Sequence, residues 1–143
     1  MKDRPAIVRQ SSVQSTSIDG AGRGRVLIAE ENPVNQRVAL GMLKRLGYEA
    51  SVVANGLLAL EAVCSSRFDA VLMDSQMPVM DGASATRRIR TSPGGATLPI
   101  IALTASALIA DREFLLAAGM DDYLTKPVRL DELERTLSRW IPA

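Results

Sequence analysis

Apolar and other strand-favouring residues along this chain fall into short runs, separated by stretches in which apolar residues recur every three or four positions. The runs are Val26 to Ala29, Ala50 to Ala54, Ala70 to Met73, Pro99 to Leu103 and Asp122 to Thr125. Their length and composition suit buried strands. Helical patterns lie between them. In the first, Val34, Val38, Met42 and Leu46 recur every four residues and predict one buried stripe. Pro33 stands at its favoured first-turn position and Gly47 marks the end. The last helix places Leu130, Leu133, Leu137 and Ile141 on one face and leaves Asp131, Glu132, Glu134 and Arg135 mainly on the wet side. The helix after Asn55 and Gly56 carries Leu57, Leu58, Leu60 and Val63 on more than one face, which reads as ordinary surface leucine rather than a contact patch.

Five near-continuous apolar strands alternating with five helices predict a doubly wound α/β domain. Parallel strands need crossover connections, and the crossover helices cover both faces of the sheet. Residues 1–24 are rich in Ser, Gln, Gly and Arg and show neither period, so they read as a flexible lead-in or interdomain linker before one domain at 25–143. Gly20, Gly22 and Gly24 precede the first strand, whereas a phosphate-binding glycine loop follows one. They belong to the linker.

Charge and composition then narrow the function. With 17 basic and 16 acidic residues there is no long-range field to attract nucleic acid or an anionic membrane. No apolar stretch approaches the ~20 residues that cross a bilayer, and the first residues lack a secretory pattern. A cytoplasmic domain without direct membrane contact is expected. Cys64 is the single cysteine, which excludes an internal disulfide, and it reads as a small buried hydrophobe. The chain has no histidine. It therefore cannot carry a Ser-His-Asp site, the common zinc sites or its own phosphohistidine. Any phosphohistidine donor must be external.

In doubly wound sheets, chemistry gathers beyond the carboxyl ends of the strands. Those ends hold Glu30 and Glu31, Asp74, Thr104 and Lys126. Like charges ~4 Å apart repel by about 4 kcal/mol at an effective dielectric near 20, so three gathered carboxylates call for a cation. Oxygen donors without histidine or thiolate favour a hard ion, and Mg²⁺ where a phosphate is also held. Such a set suits phosphoryl transfer to an Asp nucleophile, with a hydroxyl and an ammonium stabilising the equatorial oxygens. Taken singly, Asp74 and Thr104 also read as caps and Lys126 as a solvated charge.

The segments VLIAEENPVNQ (26–36), VLMDSQMPVMDG (71–82), IIALTA (100–105) and DDYLTKP (121–127) occur in order across residues 25–141. Together they resemble the receiver domain of response regulators, and NPVNQ is most similar to receivers of hybrid sensor histidine kinases. The resemblance implies a flavodoxin-like sheet of order 2-1-3-4-5 with five helices. It implies Asp74 as phosphoacceptor, with Glu31, Asp74 and the Gln76 carbonyl as Mg²⁺ ligands and Glu30 acting through water. Thr104 and Lys126 would hold the phosphoryl group, Tyr123 would be the switch aromatic, and the Lys126–Pro127 peptide would be cis. The donor would be a histidine kinase or a histidine phosphotransfer domain, and the parent a hybrid kinase anchored in the membrane with this domain on the cytoplasmic side. Glu31 departs from the pattern, because the second acidic position is usually Asp, and its extra methylene predicts weakened metal binding. The competing readings are a stand-alone response regulator, a phosphorylation-independent binding module and an aspartate-nucleophile hydrolase. The hydrolase would need a second Asp where Gln76 stands. The domain would catalyse only its own phosphorylation and dephosphorylation.

Overall fold

Each apolar run becomes a strand, and the alternation of faces along it decides which helices it meets. The computed structural model describes residues 14–16 and 22–142. In chain order it contains β1 (Gln14–Thr16), β2 (Arg25–Ala29), α1 (Pro33–Leu46), β3 (Glu49–Val53), α2 (Gly56–Ser65), β4 (Ala70–Asp74), α3 (Gly82–Arg90), β5 (Ile100–Thr104), α4 (Ile109–Ala117), β6 (Asp122–Thr125) and α5 (Leu130–Trp140). The sheet runs β1-β3-β2-β4-β5-β6. Strands β2 to β6 are parallel and, counted from β2, follow the order 2-1-3-4-5. This is the flavodoxin-like arrangement expected from the sequence.

Strand β1 is an addition. It lies antiparallel along the outer edge of β3, with Ser15 opposite Ser51. The sequence predicts no strand in this stretch. The rest of the expected linker up to residue 21 lies outside the described residues.

Two apolar cores cover the two faces of the sheet. Leu27, Val71, Met73, Ile100 and Ala102 pack with Ala59, Ala62, Ala85, Ile89 and Leu115 from α2, α3 and α4. Val26, Ile28, Leu72, Ile101 and Leu103 pack with Leu43, Leu133 and Leu137 from α1 and α5. Successive strand residues point to opposite faces, so covering both faces makes the strands continuously apolar.

The α1 stripe is a correction. Val34 and Val38 are 57% and 50% exposed, while Leu43 is fully buried and Ala39, Leu40, Met42 and Leu46 pack beside it. A helix turns ~100° per residue, so a four-residue spacing drifts about 40° per step and about 120° from Val34 to Leu46. The start of the stripe has left the core by then. Cys64 is a second correction. It is exposed, because Ala59 and Ala62 occupy the face of α2 that meets the sheet. Leu58, Leu60 and Val63 of the same helix pack half-buried against the core, so this helix has no apolar contact patch.

Arg90 closes the far end of the domain. Its guanidinium donates to the carbonyls of Gly95 at 2.8 Å, Leu98 at 2.6 Å and Gly119 at 2.7 Å. It also pairs with Asp121 at 2.8 Å, and the same carboxylate oxygen accepts the Ile100 amide of β5. One side chain thus ties the end of α3 to the loops entering β5 and β6.

Candidate functional site

At the end of β2 the backbone of Glu30 is held from both sides. Its N–H donates to the Val53 carbonyl at 3.0 Å, and its own carbonyl accepts the Gln36 side-chain amide at 2.6 Å. Gln36 lies in the first turns of α1, whose N-terminus Asn32 caps by accepting the Val34 and Asn35 amides. The Glu30 carboxylate is almost fully buried. One oxygen accepts the Asn32 N–H at 3.0 Å and the other accepts Lys126 Nζ at 3.0 Å.

Asp74 is the last residue of β4 and is also buried. Its Oδ2 accepts Lys126 Nζ at 3.0 Å and its Oδ1 accepts the Gln76 N–H at 3.2 Å. Helix α3 begins directly against this strand end, where a Cβ on Gly82 would lie 2.3 Å from the Asp74 carbonyl oxygen. Only glycine permits that approach. Thr104 ends β5, buried, with Oγ1 accepting the Ser106 N–H at 3.1 Å. The Lys126 N–H bonds the Thr104 carbonyl at 2.8 Å, and the Lys126–Pro127 peptide is cis.

Two carboxylates and one ammonium share this site, and the imbalance shows in their titration. Burial pushes the Asp74 carboxyl above its ordinary value, and the charge of Glu30 adds to that push. Lys126 and the Gln76 N–H oppose it without prevailing. Burial also acts on Glu30, yet the Asn32 N–H and Lys126 outweigh it and hold Glu30 low. For Lys126, burial favours the neutral amine, but hydrogen bonds and charge from both carboxylates win and raise it. Asp74 is thus the member whose negative charge is least compensated.

Asp74, Gln76, Thr104, Ser106 and Lys126 line one open cleft of about 590 Å³, walled on its far side by Phe114 and Leu115. Glu30 joins this group through Lys126. Glu31 is exposed and does not line the cleft, and Tyr123 stands half-buried on β6 opposite Ala102. Among the described residues no three acidic or cysteine side chains form a ready metal cage. The donors nevertheless fit a hard divalent ion. They are oxygen donors only, with one cation too few for two buried carboxylates, and they face a cleft wide enough for water ligands. Three contributors were not anticipated from the sequence: Gln36, which holds Glu30; Ser106, which holds Thr104; and Arg112, whose guanidinium lies 4.5 Å from the Tyr123 ring centroid. Gln36 falls within the NPVNQ segment, whereas Ser106 and Arg112 carry no signal in the sequence.

Residues 26–138 match the response regulator receiver domain. The chain is 51% identical to the crystallised receiver domain of sensor histidine kinase PA1611 from Pseudomonas aeruginosa, with TM-score 0.80, covering 85% of this chain and 100% of that one. That domain holds a magnesium ion in its active site cleft. The chain is 45% identical over 117 residues to the hybrid signal transduction protein dokA of Dictyostelium discoideum, covering 81% of this chain and 7% of that protein. A further similar structure is the receiver domain of the Saccharomyces cerevisiae response regulator Ssk1, crystallised with the histidine phosphotransfer protein Ypd1. It is 30% identical, with TM-score 0.74, covering 82% of this chain and 88% of that one. The chain spans 7% to 13% of the length of the first curated relatives it matches.

Proposed function

The chain belongs to the receiver domain family of response regulators, phosphoacceptor domains of two-component signalling, and from that premise we propose that Asp74 takes the phosphoryl group from an external phosphohistidine. The observation that carries this reading is Lys126 Nζ, 3.0 Å from both Asp74 and Glu30 in the cleft that also holds Thr104.

An Asp74 carboxylate oxygen attacks phosphorus while the bond from phosphorus to the donor imidazole nitrogen breaks, and the electron pair stays on that nitrogen. Negative charge on the phosphoryl oxygens meets the Lys126 ammonium and the Thr104 hydroxyl. Asp74 and the Gln76 carbonyl would hold Mg²⁺, with Glu31 reaching in from the exposed turn and Glu30 acting through water. The ion would supply further positive charge to the phosphoryl oxygens. Thr104 then leaves the Ser106 amide to reach the phosphoryl group, and Tyr123 follows inward.

The donor must present its imidazole at the mouth of the cleft. Val34 and Val38 are exposed, and Val38 lines, with Met42, Pro127 and Val128, an apolar groove that ends at Lys126 and Glu30. A histidine kinase or a histidine phosphotransfer domain docks there in this reading, and the parent protein is a hybrid sensor kinase with the receiver in the cytoplasm. The test is incubation with Mg²⁺ and a phosphohistidine donor or a small phosphodonor. An acid-stable, base-labile adduct that disappears in Asp74→Asn is expected. Its absence from the unsubstituted chain under every condition refutes the reading.

A further inference from the structure

Helix α4 is held to the domain by few buried side chains. Among residues 109–118 only Leu115 and Ala118 are buried, and Leu108 at its N-terminus offers no side-chain cap. Leu108, Ile109, Phe114 and Leu116 are 69%, 68%, 56% and 44% exposed. What restrains this helix is a small set of polar and cationic contacts. Ser106 Oγ donates to Asp111 and accepts the Leu108 N–H at 3.2 Å, while the Ser106 N–H donates to Thr104 Oγ1. The Thr104 hydroxyl and the first turn of α4 therefore belong to one hydrogen-bonded chain. Beyond it, Arg87 of α3 lies over Phe114 at 5.6 Å, and Arg112 of α4 lies over Tyr123 of β6 at 4.5 Å. Arg112 Nε is buried without a hydrogen-bond partner among the described residues. The guanidinium is thus committed to the aromatic face rather than to an oxygen acceptor.

We propose that Arg112 is a positioning residue that pins Tyr123 and α4 together and so opposes the rearrangement that accompanies phosphorylation of Asp74. This rests on the reaction proposed above. When Thr104 turns toward a phosphoryl oxygen, the Ser106 N–H loses its acceptor and the bracket on α4 is no longer tied to Thr104. The Arg112 stack is then the side-chain tie between α4 and β6 that must still break. A restraint that favours the unphosphorylated arrangement must weaken binding of any phosphoryl group by the same factor, because the two equilibria are linked.

The test uses the full chain, Arg112→Gln and Arg112→Lys, with Mg²⁺ and beryllofluoride as phosphoryl mimic, read by fluorine NMR and by amide exchange. Arg112→Gln is expected to bind the mimic about two- to five-fold more tightly, the lower end of the range for one cation–π contact, and to exchange faster along 109–117. Arg112→Lys keeps the charge but loses the planar stack, and is expected to fall between the unsubstituted chain and Arg112→Gln. Faster exchange without tighter mimic binding marks a purely structural contact and overturns the proposal, as does a Lys variant that behaves like the Gln variant. If the unsubstituted chain fails to bind the mimic, the reaction at Asp74 is what fails. Exchange alone then decides the restraint, and unchanged rates along 109–117 overturn it.

Discussion

Asp74 is a carboxylate that the folded chain would hold more easily without its charge. Its folded value is raised above the ordinary 3.8 by burial and by Glu30. The folded state therefore binds a proton more tightly than the unfolded chain does. Its contribution to stability is largest below the ordinary value, falls as pH rises through the raised folded value, and is a constant cost above it. Asp74→Asn removes that cost while the new amide oxygen can still accept Lys126. At pH 7 without metal, urea unfolding is expected to show the variant more stable by about 0.5–1.5 kcal/mol, the usual scale of trade between function and stability. A less stable variant contradicts this charge balance. Lys126 titrates on the other side of neutrality. Its raised folded value means its contribution is complete below 10.5 and is lost only as pH rises through the folded value. Glu31 is exposed in the structure, and as the metal ligand proposed above its longer arm would have to fold back. Glu31→Asp is expected to tighten Mg²⁺ binding, and an unchanged affinity by calorimetry would remove Glu31 from the metal site.

Among the elements, α3 shows how closely a helix must approach for the site to form. Gly82 starts it against the Asp74 carbonyl, and Asp81 caps it by accepting the Ser84 amide at 2.8 Å. Gly82→Ala would force the helix start and the strand end apart. The expected cost is about 1–3 kcal/mol in thermal or urea unfolding, as for other overpacked positions, together with slower adduct formation at Asp74. An Ala variant of unchanged stability would show that this close approach is not needed. The Asp-Gly pair is visible in the sequence, but the reason for glycine there is not, since the clashing atom belongs to a residue eight positions earlier. Helix α1 makes the same point. Its amphipathic character is legible, yet the buried face is set by Leu43 and its neighbours rather than by the four-residue stripe, because small angular errors accumulate over the length of a helix.

Over the whole molecule the unplanned feature is β1. Antiparallel pairing along β3 covers an edge that would otherwise present unpaired backbone groups. A chain beginning at Gly22 is expected to keep the five parallel strands and the reaction at Asp74, with faster amide exchange in Glu49–Val53. Exchange there that matches the full chain would show that β1 does not cover the edge in solution.

Element order and the residues at the strand ends could be read from the sequence, because both depend on local periodicity and on position within a segment. The family resemblance carried those positions to roles. What only the tertiary structure decided is how distant side chains meet. Lys126 lies 96 residues from Glu30 and 52 from Asp74, yet bonds both, because the sheet order places the ends of β2 and β4 side by side and the turn after β6 within reach of both. The same applies to Arg90 with Asp121, to Arg112 with Tyr123 and to β1 with β3. Each joins segments that periodicity describes separately. Their meeting is set by packing two helical layers on one twisted sheet, a condition that involves every element at once and that no single stretch of sequence contains.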